Sequence, residues 1–361
     1  MTTPRTKADG SHAEAAPGTP ASKRVPGLDA IRFVLAAWVV LGHYGVFPIF
    51  LERGAPFSLI EFLRVGYENT GNGPAAVIVF FVISGFCIHF PYRHTEVGDL
   101  RAFYLRRNIR IVLPAAVAVL TAGWVGVKIA VLGDSILWSL VCEEIYYLLY
   151  PLIRWLGQRY GFTLLTTAAF IAAILLATTK PGAENYPSFG LSGNWLLGLP
   201  CWLTGCCLAQ SYDPEGLRRA GTTRSVWTWR VAALAVASSA SILRFHTPLT
   251  YPWTLNFVAI FAFFWLRREI GHALRYEAGF LEPLGAFSYS LYLFHEHARA
   301  LWDVQPFAFD TRLNWLLRFG WILLATWLAY LLVERPSHRL ARWIAARLSK
   351  HSPPDAVRVR P

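Results

Sequence analysis

Charge is what this chain has least of. Of its 361 residues 16% are charged, while 55% are hydrophobic and the mean hydropathy is +0.38. An ordinary soluble domain carries about a quarter charged residues. The shortfall excludes a disordered protein and argues against a cytosolic enzyme. Lysine is scarcer still, with five against 29 arginines. The five cysteines (Cys87, Cys142, Cys201, Cys206 and Cys207) all sit inside apolar stretches, so no disulfide framework is expected. No Cys/His cluster has the spacing of a zinc site, and no metal is expected.

What the chain has instead is long apolar runs. A hydrocarbon core of about 30 Å takes roughly 20 helical residues to cross. Ten stretches are candidates: 28–50, 74–91, 109–132, 136–154, 162–178, 194–210, 227–245, 252–266, 285–302 and 313–333. The expected fold is therefore an all-α, polytopic membrane bundle of about ten transmembrane helices. Residues 1–25, rich in Ala, Pro, Ser and Thr, read as a disordered cytoplasmic tail rather than a signal peptide. The membrane domain would span 26–335. Residues 336–361 would begin as a basic amphipathic helix on the inner surface, from Ser337 to Lys350, and end as a tail.

The net charge of +12 does not point to nucleic acid, because the basic residues are confined to short loops between apolar runs. With the N-terminus inside, 26 of the 34 Lys and Arg fall on the cytoplasmic side. Both termini should then be cytoplasmic. Arg-rich, Lys-poor, Ala-rich composition suits a bacterial cytoplasmic membrane. No external loop is long enough to hold a catalytic domain, so any chemistry falls to the membrane domain itself.

Charged groups within a span cost a few kcal/mol each and usually face a cavity or a partner. Asp29 and Arg32, three apart at the start of the first span, can pair. Arg32 and His43 are eleven apart, which puts them on one helix face separated by about 16 Å. A phosphate-binding cation at one end and a deep imidazole at the other would suit a long, thin ligand. The plainer reading makes Arg32 a membrane anchor and His43 a core histidine. Counting depth along the spans puts His43, Ser84 and Glu143 in one layer, with His295 slightly nearer the cytoplasm. Glu143 and Glu144 point about 100° apart, so both cannot face one partner. One could hold an imidazole in its active tautomer while the other pairs with Arg or is protonated, or the two could form a structural salt bridge. Arg107 and Arg110 lie one turn apart at the entry of the third span, as ordinary positive-inside residues also would.

Six strings, in order, carry these polar residues. They are Gly27-Leu28-Asp29-Ala30-Ile31-Arg32 with His43, Phe80-Phe81-Val82-Ile83-Ser84-Gly85-Phe86, and Arg106-Arg107-Asn108-Ile109-Arg110-Ile111. The others are Trp138-Ser139-Leu140-Val141-Cys142-Glu143-Glu144-Ile145-Tyr146-Tyr147-Leu148, Phe287-Ser288-Tyr289-Ser290-Leu291-Tyr292-Leu293-Phe294-His295, and Val333-Glu334-Arg335-Pro336. Together they resemble the acyltransferase 3 family of integral-membrane O-acyltransferases, over about residues 27 to 345. The resemblance implies a ten-helix bundle that moves an acyl group, usually acetyl from acetyl-CoA, onto a hydroxyl. Acceptors are typically sugars of surface polysaccharides, lipid-linked saccharides or antibiotics. His43 takes the family's essential histidine and Arg32 its basic partner. Arg107 and Arg110 take the paired arginines, and Glu143 the acid of the Trp-Ser-Leu motif. His295-Glu296-His297 adds charge where the family usually has a single His followed by an apolar residue, which either changes the role of the ninth span or tunes the acceptor pocket.

The mechanism this implies docks acyl-CoA by its phosphates on Arg107, Arg110 and Arg32, with no resident cofactor. The thioester would lie near His43 acting as general base, and Glu143 would orient the imidazole, with Asp29, Ser84, Glu144 and His295 in support. An acyl-His intermediate is the two-step variant. The rival class is a secondary transporter or flippase with a His/Glu/Arg proton relay, which predicts inverted repeats that this chain does not display. A membrane sensor or scaffold would leave the aligned polar residues without a purpose.

Overall fold

A computed structural model describes residues 25–127, 135–277, 279–307 and 309–350 of the chain. The tail expected over 1–25 lies outside these residues except for Val25, as do 128–132 of the third expected span and the chain beyond 350. Every regular element among the described residues is helical. The chain runs α1 (Leu28–Tyr44), α2 (Leu59–Glu68), α3 (Gly73–His89), α4 (Leu100–Ala122) and α5 (Trp138–Tyr160). It continues through α6 (Phe162–Thr178), α7 (Gly190–Gln210), α8 (Pro214–Ala220) and α9 (Thr223–His246). It ends with α10 (Tyr251–Tyr276), α11 (Ser288–Asp303), α12 (Thr311–Ala329) and α13 (Arg335–Lys350).

Each of the ten expected spans falls on one of these helices. By length and composition, four stretches can cross a membrane: Leu59–Tyr92, Leu100–Val125, Thr223–His246 and Thr311–Ile344. The pair Trp138–Tyr160 and Phe162–Thr178, bent by 116°, qualifies only together. The other helices are shorter or diluted by polar residues. At 17 and 16 residues, α1 and α11 reach about 25 Å, short of a full core.

Helix ends differ from expectation in ways that matter for the site. α1 stops at Tyr44 rather than near 50, because Gly45 takes a left-handed φ of +80°. α4 begins at Leu100, capped by the Asp99 carboxylate, nine residues before the expected entry. Arg106, Arg107 and Arg110 are therefore inside a helix rather than at its mouth. Hydropathy discounts that turn because it counts the guanidinium and not the stem that packs. α2 was not expected at all.

α3 is apolar all round and buried along nearly its whole length, as the central element should be. Against α7 it packs backbone to backbone. A Cβ on Gly85 would lie 1.9 Å from the Trp202 carbonyl oxygen, and one on Gly205 equally close to that of Val82. Such small-residue contacts are how helices approach without a hydrophobic drive from water. Against α1 the contact is Gly42 on Gly73, where an added Cβ would come within 2.6 Å of Gly73 N. The other end of α1 is tied by Glu282, whose carboxylate accepts from Gly27 N (3.1 Å) and Ala30 N (3.0 Å). That borrowed cap satisfies orphan amides at the helix start and favours the positive end of its dipole. α1 is thus pinned at both ends, and with it Arg32 and His43.

Candidate active site

Two cavities enter the bundle from opposite ends of α1. The first, about 550 Å³, is lined by Arg32, Arg106, Arg107 and Arg110, with Ser84, Glu143 and Glu334. Arg32 Nη1 lies 3.5 Å from Asp29 Oδ1, so the i,i+3 pair read from the sequence is present. Arg107 stacks on the Phe103 ring at 3.8 Å, and its buried Nε has no hydrogen-bond partner among the described residues. Arg110 makes no ion pair among them either. A cluster of guanidinium groups with donors to spare is what anionic oxygens bind. The cluster is balanced from one side by Glu334, which accepts from Ser290 N (2.9 Å) and Oγ (2.6 Å). Glu334 closes a π-helical turn, Tyr330–Glu334, a local irregularity that is frequent at functional sites.

Ser84 and Glu143 meet in this cavity, as depth counting predicted. Ser84 Oγ donates to Glu143 Oε1 (2.6 Å), the Tyr147 hydroxyl donates to the same oxygen, and Trp202 Nε1 donates to Ser84 Oγ (3.2 Å). His43 is not with them. It lies in the last turn of α1, level with Gly73, while Ser84 is eleven residues further along α3, about 16 Å away along the axis. The early helix end at Gly45 is the cause, since the expected span to residue 50 put His43 too deep. Glu143 therefore does not orient His43.

The second cavity, about 1210 Å³, holds His43 with Arg64, Glu68, Arg244, Glu296 and Arg299 among its lining. The carboxylate beside His43 is Glu296, with Oε1 3.3 Å from Nδ1. Glu296 Oε2 is 3.1 Å from Arg299 Nε, one turn along α11. Behind them His295 is fully buried, its ring centroid 5.0 Å from that of His43 and its Nδ1 2.6 Å from the Tyr292 carbonyl. His297, two residues on, bonds the Ala118 carbonyl at 2.8 Å and serves packing. His43 keeps 43% of its side chain accessible, so it can meet a substrate. His43, His295 and Glu296 also offer ligand atoms within 4.8 Å of one another, close enough for a metal ion to bridge.

Glu144 lines neither cavity. With its amide turned to donate, Asn108 reaches Glu144 Oε2 at 3.2 Å, while Oε1 has no partner among the described residues. No arginine pairs with Glu144 among the described residues. Glu296, whose added charge in the sequence leaves the role of the ninth span open or tunes the acceptor pocket, thus lines the cavity of His43, while nothing in the sequence gives a role to Tyr147 or Glu334.

Residues 25–334 match the acyltransferase 3 family, described as an acyltransferase domain. The chain belongs to that family, and it is an acyltransferase of the membrane type. Neither a curated protein nor a solved structure matches it. Its apolar helices and its family together make it an integral membrane protein.

Proposed function

We propose that the protein moves an acyl group, acetyl by family expectation, from cytoplasmic acyl-CoA to a sugar hydroxyl of a surface polysaccharide or glycolipid in a bacterial cytoplasmic membrane. The observation that carries this reading is the pairing of an arginine cavity with a histidine cavity that share Val77 and Tyr292 as a common wall. Phosphates of the donor would sit on Arg32, Arg107 and Arg110, and the acceptor would enter the larger, polar cavity. Glu296 beside Nδ1 favours the tautomer with its proton there, which leaves Nε2 free as a base. His43 then takes the acceptor's hydroxyl proton as the oxygen attacks the thioester carbonyl. The C–S bond breaks, and the imidazolium returns its proton to the departing thiolate. A proton relay of the transporter kind is less favoured, since Glu143 is bonded to Ser84 and Tyr147 while His43 faces Glu296.

Donor titration of purified variants in nanodiscs tests the division of labour, read as release of CoA thiol. His43→Ala should lose about 10²–10⁴-fold in turnover at every donor concentration with donor binding near wild type. Arg107→Ala and Arg110→Ala should raise the donor KM and recover at high donor. Full turnover in His43→Ala ends the general-base reading. Mass spectrometry of surface glycans from cells with and without the gene would identify the acceptor by the loss of one acyl group.

A further inference from the structure

The two cavities share part of their lining. Val77 of α3 and Tyr292 of α11 line both, while in the first turn of α5 Trp138 faces the histidine cavity and Ser139 the arginine cavity. Tyr292 is the larger part of the barrier. Its hydroxyl is held by the Ile136 carbonyl at 2.7 Å and by Ser139 Oγ at 2.8 Å. Its ring stands edge-on to Phe80, centroids 6.3 Å apart. The side chain is thus anchored on α11 at one end and latched to the start of α5 at the other.

Resting on the acyltransferase reading above, we propose that Tyr292 and Val77, which line both cavities, form the aperture through which the donor's acyl end passes, and that its width restricts transfer to small, unbranched acyl groups. A donor whose phosphates stay on the arginines reaches His43 only by its far end. That end is the acyl group, so it must go through first. The pantetheine arm behind it is a single-file chain of the same width for every donor. What differs between donors at the aperture is the cross-section of the acyl group alone. Beyond the wall the histidine cavity has room to spare, so the aperture and not the destination does the selecting. Two hydrogen bonds to the hydroxyl hold the ring across the path until a donor displaces it.

The test uses the full-length protein in nanodiscs and needs no knowledge of the acceptor. CoA thiol release is followed from acetyl-CoA, isobutyryl-CoA and benzoyl-CoA with water as the terminal acceptor. The rate of His43→Ala is subtracted, so that only release at His43 counts. In this hydrolysis water oxygen bonds to the acyl carbon, the C–S bond breaks, and the proton passes through His43 to the thiolate. Wild type should favour acetyl-CoA strongly. Tyr292→Ala should raise the isobutyryl-to-acetyl ratio of kcat/KM by tenfold or more, within the range one or two methylenes command in an apolar pocket. Val77→Ala trims the other shared lining residue, removes little from the core, and should shift the ratio in the same direction. Unchanged ratios in both folded variants would overturn the aperture, as would a wild type indifferent to branching. A wild type with no His43-dependent release from any donor, with water alone and with cell-envelope glycans added as acceptor, would instead remove the acyltransfer reading on which the aperture rests.

Discussion

A carboxylate beside an imidazole decides which ring nitrogen carries the proton, and in this protein the deciding carboxylate is Glu296. Its two oxygens are divided between His43 and Arg299. The arginine keeps the carboxylate charged and fixes its angle, so the imidazole receives one orientation. Glu296→Gln retains the size of the side chain but loses the charge that, in the proposed transfer, would favour the imidazolium of His43. It should lower kcat by about 10²-fold or more with little change in donor KM, and a donor titration of the variant reads both. Glu143→Gln should behave differently, because Glu143 accepts from Ser84 and Tyr147 at the far side of the wall. The larger change there should fall on donor KM. Equal kcat losses in the two variants with no change in KM would undo the separation of their roles.

At the scale of single elements, close backbone approach sets the geometry. The α3–α7 contact tolerates no side chain at Gly85 or Gly205, each of whose Cβ atoms would meet a carbonyl oxygen at 1.9 Å. Gly205→Ala should destabilise by at least about 1–3 kcal/mol, the usual scale for overpacking. Gly66 in α2 is the contrast: nothing lies within 4 Å of its Cβ position, so Gly66→Ala should stabilise by about 0.5–1 kcal/mol through helix propensity. Thermal unfolding in detergent would show both, and opposite signs are the expected result.

The same elements show what was legible in the sequence. That Ser84 and Glu143 share a layer could be anticipated because each sits in a helix that starts close to where its apolar run starts. The Asp29–Arg32 pair was readable because it depends on local spacing alone. His43 was misplaced because its depth depended on where α1 ends, and Gly45 ends it before the apolar run is over. The pairing of Glu296 with His43 is not legible because it joins two helices far apart in the sequence. On α11 successive side chains diverge by about 100°, so His295 turns into the core while Glu296 faces the cavity. α4 starts before the third apolar run, and that start is not legible because its arginine-rich first turns read as loop.

For the molecule as a whole, the proposed transfer requires the two cavities to open on opposite faces of the membrane. The excess of arginine in the loops next to the arginine cavity supports a cytoplasmic placement for that end. Cysteines introduced singly at exposed Arg101 and Arg219 should react with a membrane-impermeant maleimide only after the membrane is opened. Those at exposed Glu184 and Asp310 should react in intact cells or spheroplasts. Labelling in the reverse pattern would place the arginines outside and rule out a cytoplasmic donor.

The histidine cavity draws part of its wall from elements that the arginine cavity does not touch: α2 with Arg64 and Glu68, the turn at Asn185 and Pro187, and the end of α9 with Arg244 and His246. Substitutions in these segments can accumulate without moving α1, which is pinned by Glu282 at one end and by Gly73 at the other. On the acyl transfer proposed above, relatives could then differ in acceptor while keeping the arginine cavity as it is. Recombination that exchanges residues 59–69 between relatives would then be a route to new acceptors, with the source of the acyl group left as it was.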